Sequence, residues 1–257
     1  MNNIRRKPSV NENFMLFSEV ESLCPLCAKI LMYSKNGKKI NLFEAAHIYP
    51  LNPTADEIEL LKDEERLTVD INHIDNFIAL CRDCHKKFDK PRTVEEYRKL
   101  FSIKKALINR NLTRASYHEY QVEIEIRKVL MLLLKETNVI DSITLRLDAV
   151  KLDDKADKTL TRFTKRRIRN DITEYYLYIQ EQFKQLDKQY PKTFATIASQ
   201  VKTFYLKITK NEESQELIYE TLTEWLSKKT ENSSLSACGI IISFFIQNCE
   251  VFDDSSK

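Results

Sequence analysis

Glycine is scarce in this sequence, which contains only Gly37 and Gly239. Glycine-rich loops that bind phosphates and the glycine fingerprint of dinucleotide-binding folds each need several glycines close together, so both kinds of site are excluded. Leucine, lysine, glutamate and isoleucine are abundant. Together with the shortage of glycine, this composition favours helices over an all-β fold.

Long apolar runs are also missing. The closest candidate, Cys238 to Ile246, has nine residues, whereas a membrane-spanning helix needs roughly 18 to 20. The segment from Met1 to Asn13 is polar and lacks the apolar core of a signal peptide. We therefore expect no membrane partner and a cytoplasmic location, where paired cysteines are more often metal ligands than disulfides.

A strong net charge is absent as well, since 41 basic residues against 38 acidic ones leave +3. The overall charge therefore does not indicate a nucleic-acid partner, and a local basic surface would be needed. The densest basic run extends from Arg162 to Arg169. On a helix this run would either contact phosphates or form a solvated face.

The chain divides into two parts of different character. Residues 14 to about 100 hold four of the six cysteines and three of the four histidines, and residues from about 115 onward contain only helical patterns. Asn36-Gly37 between two apolar segments, Ile30–Tyr33 and Ile40–Phe43, predicts a hairpin whose second strand continues to His47. We expect one helix to begin between Asp83 and His85, and another at the capping box Thr93–Glu96.

Apolar residues recur at helical spacing in the second part. The first stripe comprises Val122, Ile126, Val129, Leu130 and Leu133, and the second, ended by Pro191, comprises Ile168, Ile172, Tyr175, Ile179, Phe183 and Leu186. Further helices are predicted over Phe194–Ile208, Gln215–Lys228 and Leu235–Asn248. The sequence therefore predicts an α+β protein: a small module of strands and helix over residues 1–110, then an all-α domain over residues 111–257.

Two Cys-x-x-Cys pairs, Cys24–Cys27 and Cys81–Cys84, are separated by 53 residues. Two such tight turns can complete a tetrahedral site for a structural Zn²⁺. The alternatives are a redox pair or incidental buried thiols. The other two cysteines, Cys238 and Cys249, are expected in the helical core.

The order of motifs around these cysteines resembles the zinc-bearing branch of the HNH (ββα-metal) endonucleases. It comprises Cys24-x-x-Cys27, Glu44-Ala-Ala-His47-Ile-x-Pro50, Asn76-Phe-Ile-Ala-Leu-Cys81-x-x-Cys84-His85 and Phe88-Asp89. The resemblance implies metal-dependent hydrolysis of phosphodiester bonds, with DNA as the favoured substrate. It also implies a catalytic divalent ion, Mg²⁺ or another, in addition to zinc.

The same resemblance implies a role for each polar residue of the motif. His47 resembles the general base and His85 a ligand of the catalytic ion, while Asn76 either binds that ion or fixes the loop that carries the base. Asp89 is a further ligand or a partner of one. Many relatives have a ligand where this chain has Ala46, and Glu44 is the candidate replacement because residues i and i+2 share a strand face.

Each of these residues also has a purely structural alternative. His47 could be a structural histidine, Asn76 a turn cap and Asp89 a solvated charge. Two further histidines, His73 and His118, are expected at the surface and outside the module, respectively.

The end of the chain resembles the C-terminal domain of ABC-three-component defence systems, the group that includes Lamassu-type systems. The residues that carry this resemblance are Ser236–Phe252, Ile172–Tyr178 and Trp225. It implies protein partners, namely an SMC-like ABC ATPase and a middle component, for which the helical part would be the docking domain. Trp225, Tyr176 and Phe252 are candidate aromatic anchors of that docking, and the alternative is that they fill the helical core.

The combined hypothesis is an HNH endonuclease that acts as the effector subunit of such an antiphage complex. The alternatives are a stand-alone modification-dependent restriction nuclease, a catalytically inactive zinc-bearing binding module, and an effector gated by a cyclic nucleotide. The oligomeric state is not predicted.

Overall fold

The computed structural model describes residues 4, 6–120, 122, 124, 126–135, 150–248 and 251–252. The chain divides into two compact units, Met1–Thr113, the N-terminal unit, and Arg114–Lys257, the helical unit. Strands occur only in the N-terminal unit of the described chain. The predicted α+β class, with strands first and helices after them, is confirmed.

The N-terminal unit contains four strands and four helices among its described residues. In chain order they are α1 (Val10–Glu19), β1 (Met32–Lys35), β2 (Lys38–Asn41), β3 (Phe43–His47), α2 (Ala55–Leu60), β4 (Phe77–Cys81), α3 (Arg82–Asp89) and α4 (Val94–Ala115), the last of which extends two residues into the helical unit. A short 3-10 helix, Ile74–Asn76, leads directly into β4.

The predicted hairpin is confirmed. Strands β1 and β2 pair antiparallel with Lys35 opposite Lys38, and the turn residues Asn36 and Gly37 have φ values of 51° and 73°. Positive φ at both central positions is what a tight two-residue hairpin turn requires, and Asn-Gly accommodates it at little cost.

The prediction that the second hairpin strand continues to His47 is wrong. β2 ends at Asn41, whose side-chain oxygen accepts a hydrogen bond from the Phe43 backbone at 2.7 Å. This local bond, typical of asparagine at turns, ends the ladder. Phe43 then begins β3, which pairs antiparallel with β4 in the register Phe43↔Cys81 to His47↔Phe77.

The core of the N-terminal unit forms around the β3–β4 pair. All five residues of β4 are buried, and helices α1 and α3 both pack against the two strands. The largest fully buried side chains of this core are Leu16, Leu31, Ile48, Phe77, Phe88 and Tyr97. Because every residue of β4 is buried, both faces of this strand are covered, whereas β3 leaves Glu44 exposed.

Both predicted helix starts in this unit are confirmed. α3 begins at Arg82, one residue before the expected range, because the Cys81 sulfur accepts the Cys84 backbone N–H and so caps the helix. The Thr93 hydroxyl accepts the backbone N–H of Glu96 at the start of α4. Such side-chain acceptors satisfy donors that the first turn of a helix leaves unpaired.

Among its described residues the helical unit contains six α-helices: α5 (Ile126–Lys135), α6 (Val150–Lys155), α7 (Arg162–Gln189), α8 (Thr193–Ile208), α9 (Gln215–Lys229) and α10 (Leu235–Gln247). Helix α10 packs against α5, α6, α7 and α9, and ten of its residues are buried. The predicted stripe on α7 faces this core, and α7 ends just before Pro191. None of the described helices has the length and apolarity needed to cross a membrane.

The proposed aromatic anchors lie in the core instead of on a free surface. Trp225 and Phe252 are 0% and 1% exposed, and the Trp225 ring stacks on Phe204 at 4.6 Å. Tyr176 is half-buried and donates a hydrogen bond to Asn248. These aromatic rings therefore stabilise the unit itself. Cys238 is buried as expected, while Cys249 lies outside the described residues.

Gly239 lies inside α10, where alanine would ordinarily be favoured by about 1 kcal/mol. A Cβ at this position would lie 2.8 Å from the Tyr219 hydroxyl and 3.3 Å from Arg167 Nη2. Because Tyr219 is itself buried, its ring has little room to withdraw. The glycine therefore provides space for the hydroxyl group.

Gly239→Ala should destabilise the helical unit by about 1–3 kcal/mol, the usual cost of overpacking. In a Tyr219→Phe background, which removes the oxygen, the same substitution should become neutral or stabilising. Trp225, the only tryptophan, reports unfolding of this unit through its fluorescence in a denaturant titration. Equal effects of Gly239→Ala in the two backgrounds would contradict this steric explanation.

Candidate metal centre and active site

The four cysteines of the two Cys-x-x-Cys pairs converge on one point. Their sulfur atoms all lie within 4.8 Å of one another, and no other group of histidine, cysteine or acidic side chains in the described part of the chain meets the same criterion. The sulfurs of Cys27 and Cys81 are 3.6 Å apart. Two thiolates on one tetrahedral zinc ion would be about 3.8 Å apart, given zinc–sulfur bonds of about 2.3 Å.

Two kinds of local structure present these sulfurs. In the first pair, the backbone of Ala28 folds back on Cys24 with an N···O distance of 2.7 Å and a positive φ of 56° at Ala28. In the second pair, Cys81 ends β4 and Cys84 lies in the first turn of α3. All five of the cysteines in the described chain have free thiols, so the geometry suits a shared metal ion and does not form a disulfide.

The thiols differ in their acidity. The pKa of Cys27 is lowered to about 7, chiefly by the backbone N–H of Lys29 and then by hydrogen bonding with Cys84. Burial raises the pKa of Cys84 and of Cys81. Since thiolate is the form that binds metals, the easily ionised Cys27 is the natural first ligand, and a cation is needed to stabilise the buried thiolates.

A second cluster centres on His85, which directly follows Cys84 on α3. The imidazole lies between two carboxylates, with Nδ1 2.8 Å from Glu44 Oε2 and Nε2 3.2 Å from Asp89 Oδ2. Hydrogen bonding with Asp89 and then with Glu44 raises the pKa of His85, although burial acts in the opposite direction. Two carboxylates around one imidazole favour a positive charge at this place, which either a proton or a metal ion can supply.

Arg92 extends this cluster, and the sequence analysis did not identify it. Its side chain is only 4% exposed. It donates to Asp89 Oδ1 at 2.8 Å, to the Ile48 carbonyl at 2.9 Å and to Glu57 Oε1 at 3.3 Å. The i,i+3 spacing of Asp89 and Arg92 was the available signal. Its other two partners lie 35 and 44 residues away in sequence.

His47 lies at the end of β3 and is 8% exposed. Its ring lies 4.1 Å from the ring of Phe77, its partner across the strands. Because side chains alternate along a strand, His47 shares a face with Phe43, and Glu44 projects from the opposite face. His47 is therefore not part of the cluster around His85, although Ile48, the next residue, is bound by Arg92.

Asn76 is buried, and its amide joins three segments of the chain. Oδ1 accepts from the Tyr49 backbone N–H at 2.8 Å, and Nδ2 donates to the carbonyls of Tyr49 and Ile71 at 3.0 and 2.8 Å. The Asn76 carbonyl also accepts from the Ile48 backbone. The two bonds to Tyr49 hold the loop that follows His47, and the third ties the same amide to the segment at Ile71.

Ala46 and the other two histidines of the chain do not belong to the cluster around His85. Ala46 is fully buried and its methyl group offers no ligand atom. His73 is half-exposed at the N-cap of the Ile74–Asn76 helix, and His118 is exposed on the 3-10 helix Tyr117–Glu119 of the helical unit. The structure therefore groups Glu44, His85 and Asp89 directly and leaves these two histidines outside.

Cys84→Ser should abolish tight metal binding and unfold the N-terminal unit, because the four thiols share one site. Metal content is measured by elemental analysis, and limited proteolysis reports the state of the N-terminal unit. The unfolding midpoint of Trp225 fluorescence should stay unchanged. Cys238→Ala is the control, since it removes a thiol outside the cluster; equal metal content in Cys84→Ser and this control would contradict the shared site.

Two family models match the chain. One, described as an HNH endonuclease, matches residues 24–94, a range that includes the four clustered cysteines and the cluster around His85. The other, described as C-terminal domain 11 of the ABC-three component (ABC-3C) systems, matches residues 113–252, which is more than half of the chain. No curated protein and no solved structure matches. Both resemblances noted in the sequence are therefore confirmed, and the chain belongs to the family of ABC-three component proteins with C-terminal domain 11, preceded by an HNH endonuclease domain.

Proposed function

We propose that the protein is a metal-dependent endonuclease that hydrolyses DNA phosphodiester bonds. The observation that carries this proposal is the position of His85 between Glu44 and Asp89, on a helix that is capped by one clustered cysteine and carries another in its first turn. His85 with its two carboxylates provides a cation site. The neighbouring strand β3 ends in His47, which provides a base within the same small unit.

The four thiols suit a structural Zn²⁺, and the His85 cluster suits Mg²⁺ or another divalent ion. Glu44 contacts Nδ1, which leaves Nε2 and the Asp89 carboxylate to hold the ion on the other side of the ring. Metal-binding histidines commonly donate the other ring N–H to a carboxylate, so Glu44 would orient His85. When bound, the divalent ion would stabilise the negative charge that develops on the phosphate and on the leaving oxygen.

His47 would act as the general base and accept a proton from the attacking water on an imidazole nitrogen. Its ring packs against Phe77 at 4.1 Å, and the residue is 8% exposed. Asn76 would position this base by holding Tyr49, since its amide oxygen and one of its amide N–H groups bond to the Tyr49 backbone. We assign Asn76 no metal contact, in preference to the other role that the resemblance allowed.

Arg92 would link the base to the cation site. One end of its guanidinium holds the carbonyl of Ile48, which follows His47, and the other holds Asp89, beside His85. The side chain is 4% exposed, and removal of its guanidinium would leave the Ile48 carbonyl and two partly exposed carboxylates without this donor. Arg92 is therefore a positioning residue of the site and also a stabilising one.

We further propose that residues 1–110 form the nuclease module and residues 111–257 the domain that docks onto partner proteins. The match to an ABC-three component domain supports membership of a multi-component system. By its resemblance to Lamassu-type systems, that system would be an antiphage one, with an SMC-like ABC ATPase and a middle component as partners. The nuclease would be its effector.

The basic run on α7 gives little support to the rival in which the helical unit itself binds DNA. Lys165 and Arg169 both contact the Asp153 carboxylate at 2.8 Å, so part of the positive charge is neutralised within the unit.

A better supported alternative function is an inactive binding module, because Ala46 offers no ligand where many relatives have one. Activity measurements decide between the nuclease and this second candidate.

His47→Ala should lower the rate of plasmid nicking in Mg²⁺ or Mn²⁺ by about 10² to 10⁴, the usual contribution of a general base. Metal content should stay unchanged, since no cysteine is altered. His73→Ala is the matched control, because it removes a half-exposed histidine of the same unit and should nick like wild type. In cells that carry the whole system, His47→Ala should still co-purify with its partners but lose protection against phage.

Nicking by His47→Ala at the rate of the His73→Ala control, under the same metal and salt, would refute the catalytic role. Absence of nicking by wild type in either metal, in the presence of its partners, would favour the inactive module.

A further inference from the structure

The charged residues of the β1–β2 hairpin are all positive. From Ser22 to Phe43 the sequence has no acidic residue, and it has four lysines. Three of these, Lys35, Lys38 and Lys39, lie on the hairpin itself. Positive charge is therefore concentrated here in a protein whose overall charge is almost balanced.

The pairing register places like charges together. Lys35 lies directly opposite Lys38, and Lys39 lies opposite Ser34 on the other face. Like charges directly across a pair of strands destabilise it. Within the described residues none of these three lysines has an ion-pair partner, whereas the nearby Lys29 contacts Asp83 at 3.0 Å.

The hairpin is also exposed on both faces. Only Met32 and Ile40 are partly covered, and Tyr33 retains 39% of its surface. An isolated two-stranded hairpin is marginal in water. Here its base is fixed by the buried Leu31, whose carbonyl accepts the Leu42 backbone N–H at 2.9 Å. The hairpin is therefore held at its base, next to Leu31, and its end with the three lysines lies in solvent.

The hairpin lies close to the candidate active site along the chain. Only Leu42 separates β2 from β3, the strand that carries Glu44 and His47. From Lys39 to His47 the chain can extend at most about 27 Å at about 3.4 Å per residue. That reach is shorter than one turn of DNA, about 34 Å. A duplex cut at His47 would thus be within range of the hairpin.

We infer that the β1–β2 hairpin is a DNA-binding arm, in which Lys35, Lys38 and Lys39 contact backbone phosphates and hold the duplex beside the active site. This inference rests on the proposed nuclease function. The major groove of B-form DNA admits a two-stranded ribbon, whereas the deep, narrow major groove of A-form RNA does not. Bound phosphates would also relieve the repulsion between Lys35 and Lys38. The arm therefore suits duplex DNA.

The test compares two triple variants of the full chain. The arm variant is Lys35→Gln, Lys38→Gln, Lys39→Gln, and the control is Lys62→Gln, Lys99→Gln, Lys105→Gln, which removes the same charge from exposed positions of the same unit. Binding to a fluorescent 20-base-pair DNA duplex is measured by anisotropy over a range of salt, without added divalent ion. A third variant with arginine at the three arm positions keeps the charge.

The arm variant should bind at least about tenfold more weakly at 0.1 M salt, and its slope of log K against log salt should be smaller by about 2 to 3, since each phosphate contact contributes about 0.9. The control and the arginine variant should match wild type within about twofold. In cleavage assays the arm variant should show a raised KM with kcat nearly unchanged, and its metal content should equal that of wild type.

Equal weakening in the arm variant and the control would overturn the inference, because net charge alone would explain the result. A salt slope in the arm variant equal to that of wild type would also overturn it. The same holds if wild type binds an RNA duplex as tightly as DNA and the arm variant loses both to the same extent. In each of these cases wild type would still cut DNA, and only the arm would be refuted. If wild type neither cuts nor binds either duplex while it retains its metal, the proposed nuclease function fails as well.

Discussion

The convergence of four thiols is the constraint on which the rest of the N-terminal unit depends. Two of the sulfurs come from the turn that precedes the β1–β2 hairpin, and two come from the junction of β4 and α3. Cys81 serves three purposes at once, because it ends a strand, caps a helix and belongs to the cluster. A structural zinc contributes on the order of 10 kcal/mol, which is comparable with the whole stability of a domain.

The position of the candidate active site follows from that constraint. His85 is the residue next to Cys84, so an ion that fixes the start of α3 also fixes His85 against Glu44 of β3. From there a chain of alternating charges continues through Asp89 and Arg92 to Glu57. Because Arg92 also holds Ile48, the same chain reaches the strand end that carries His47. The metal centre and the two histidines are therefore parts of one connected arrangement.

Local signals in the sequence were sufficient for much of this. Asn36-Gly37 predicted the hairpin turn, Thr93–Glu96 the start of α4, and the apolar stripe on α7 its buried face, because each depends on residues a few positions apart. The four cysteines were found through the spacing of their two pairs, and His85 through the resemblance to HNH endonucleases. These features needed no knowledge of how distant segments meet.

Features that depend on distant segments were not predictable in the same way. Strand β3 pairs with β4, which lies more than 30 residues later in the sequence, and Arg92 acquires its role from partners in three separate segments. For Trp225 both a docking surface and the helical core were open, and the structure places it fully in the core, because composition alone does not tell a core aromatic from an exposed one. The contact between Glu44 and His85, 41 residues apart, was suggested only through the family resemblance.

The central claim is that one zinc ion, held by four thiolates, fixes the geometry of the nuclease module. Zinc K-edge X-ray absorption on the purified full chain tests it most directly. The account predicts one zinc per chain with four sulfur neighbours at about 2.3 Å. Nitrogen or oxygen among the nearest neighbours of the zinc, or protein that is folded and active without zinc, would contradict it.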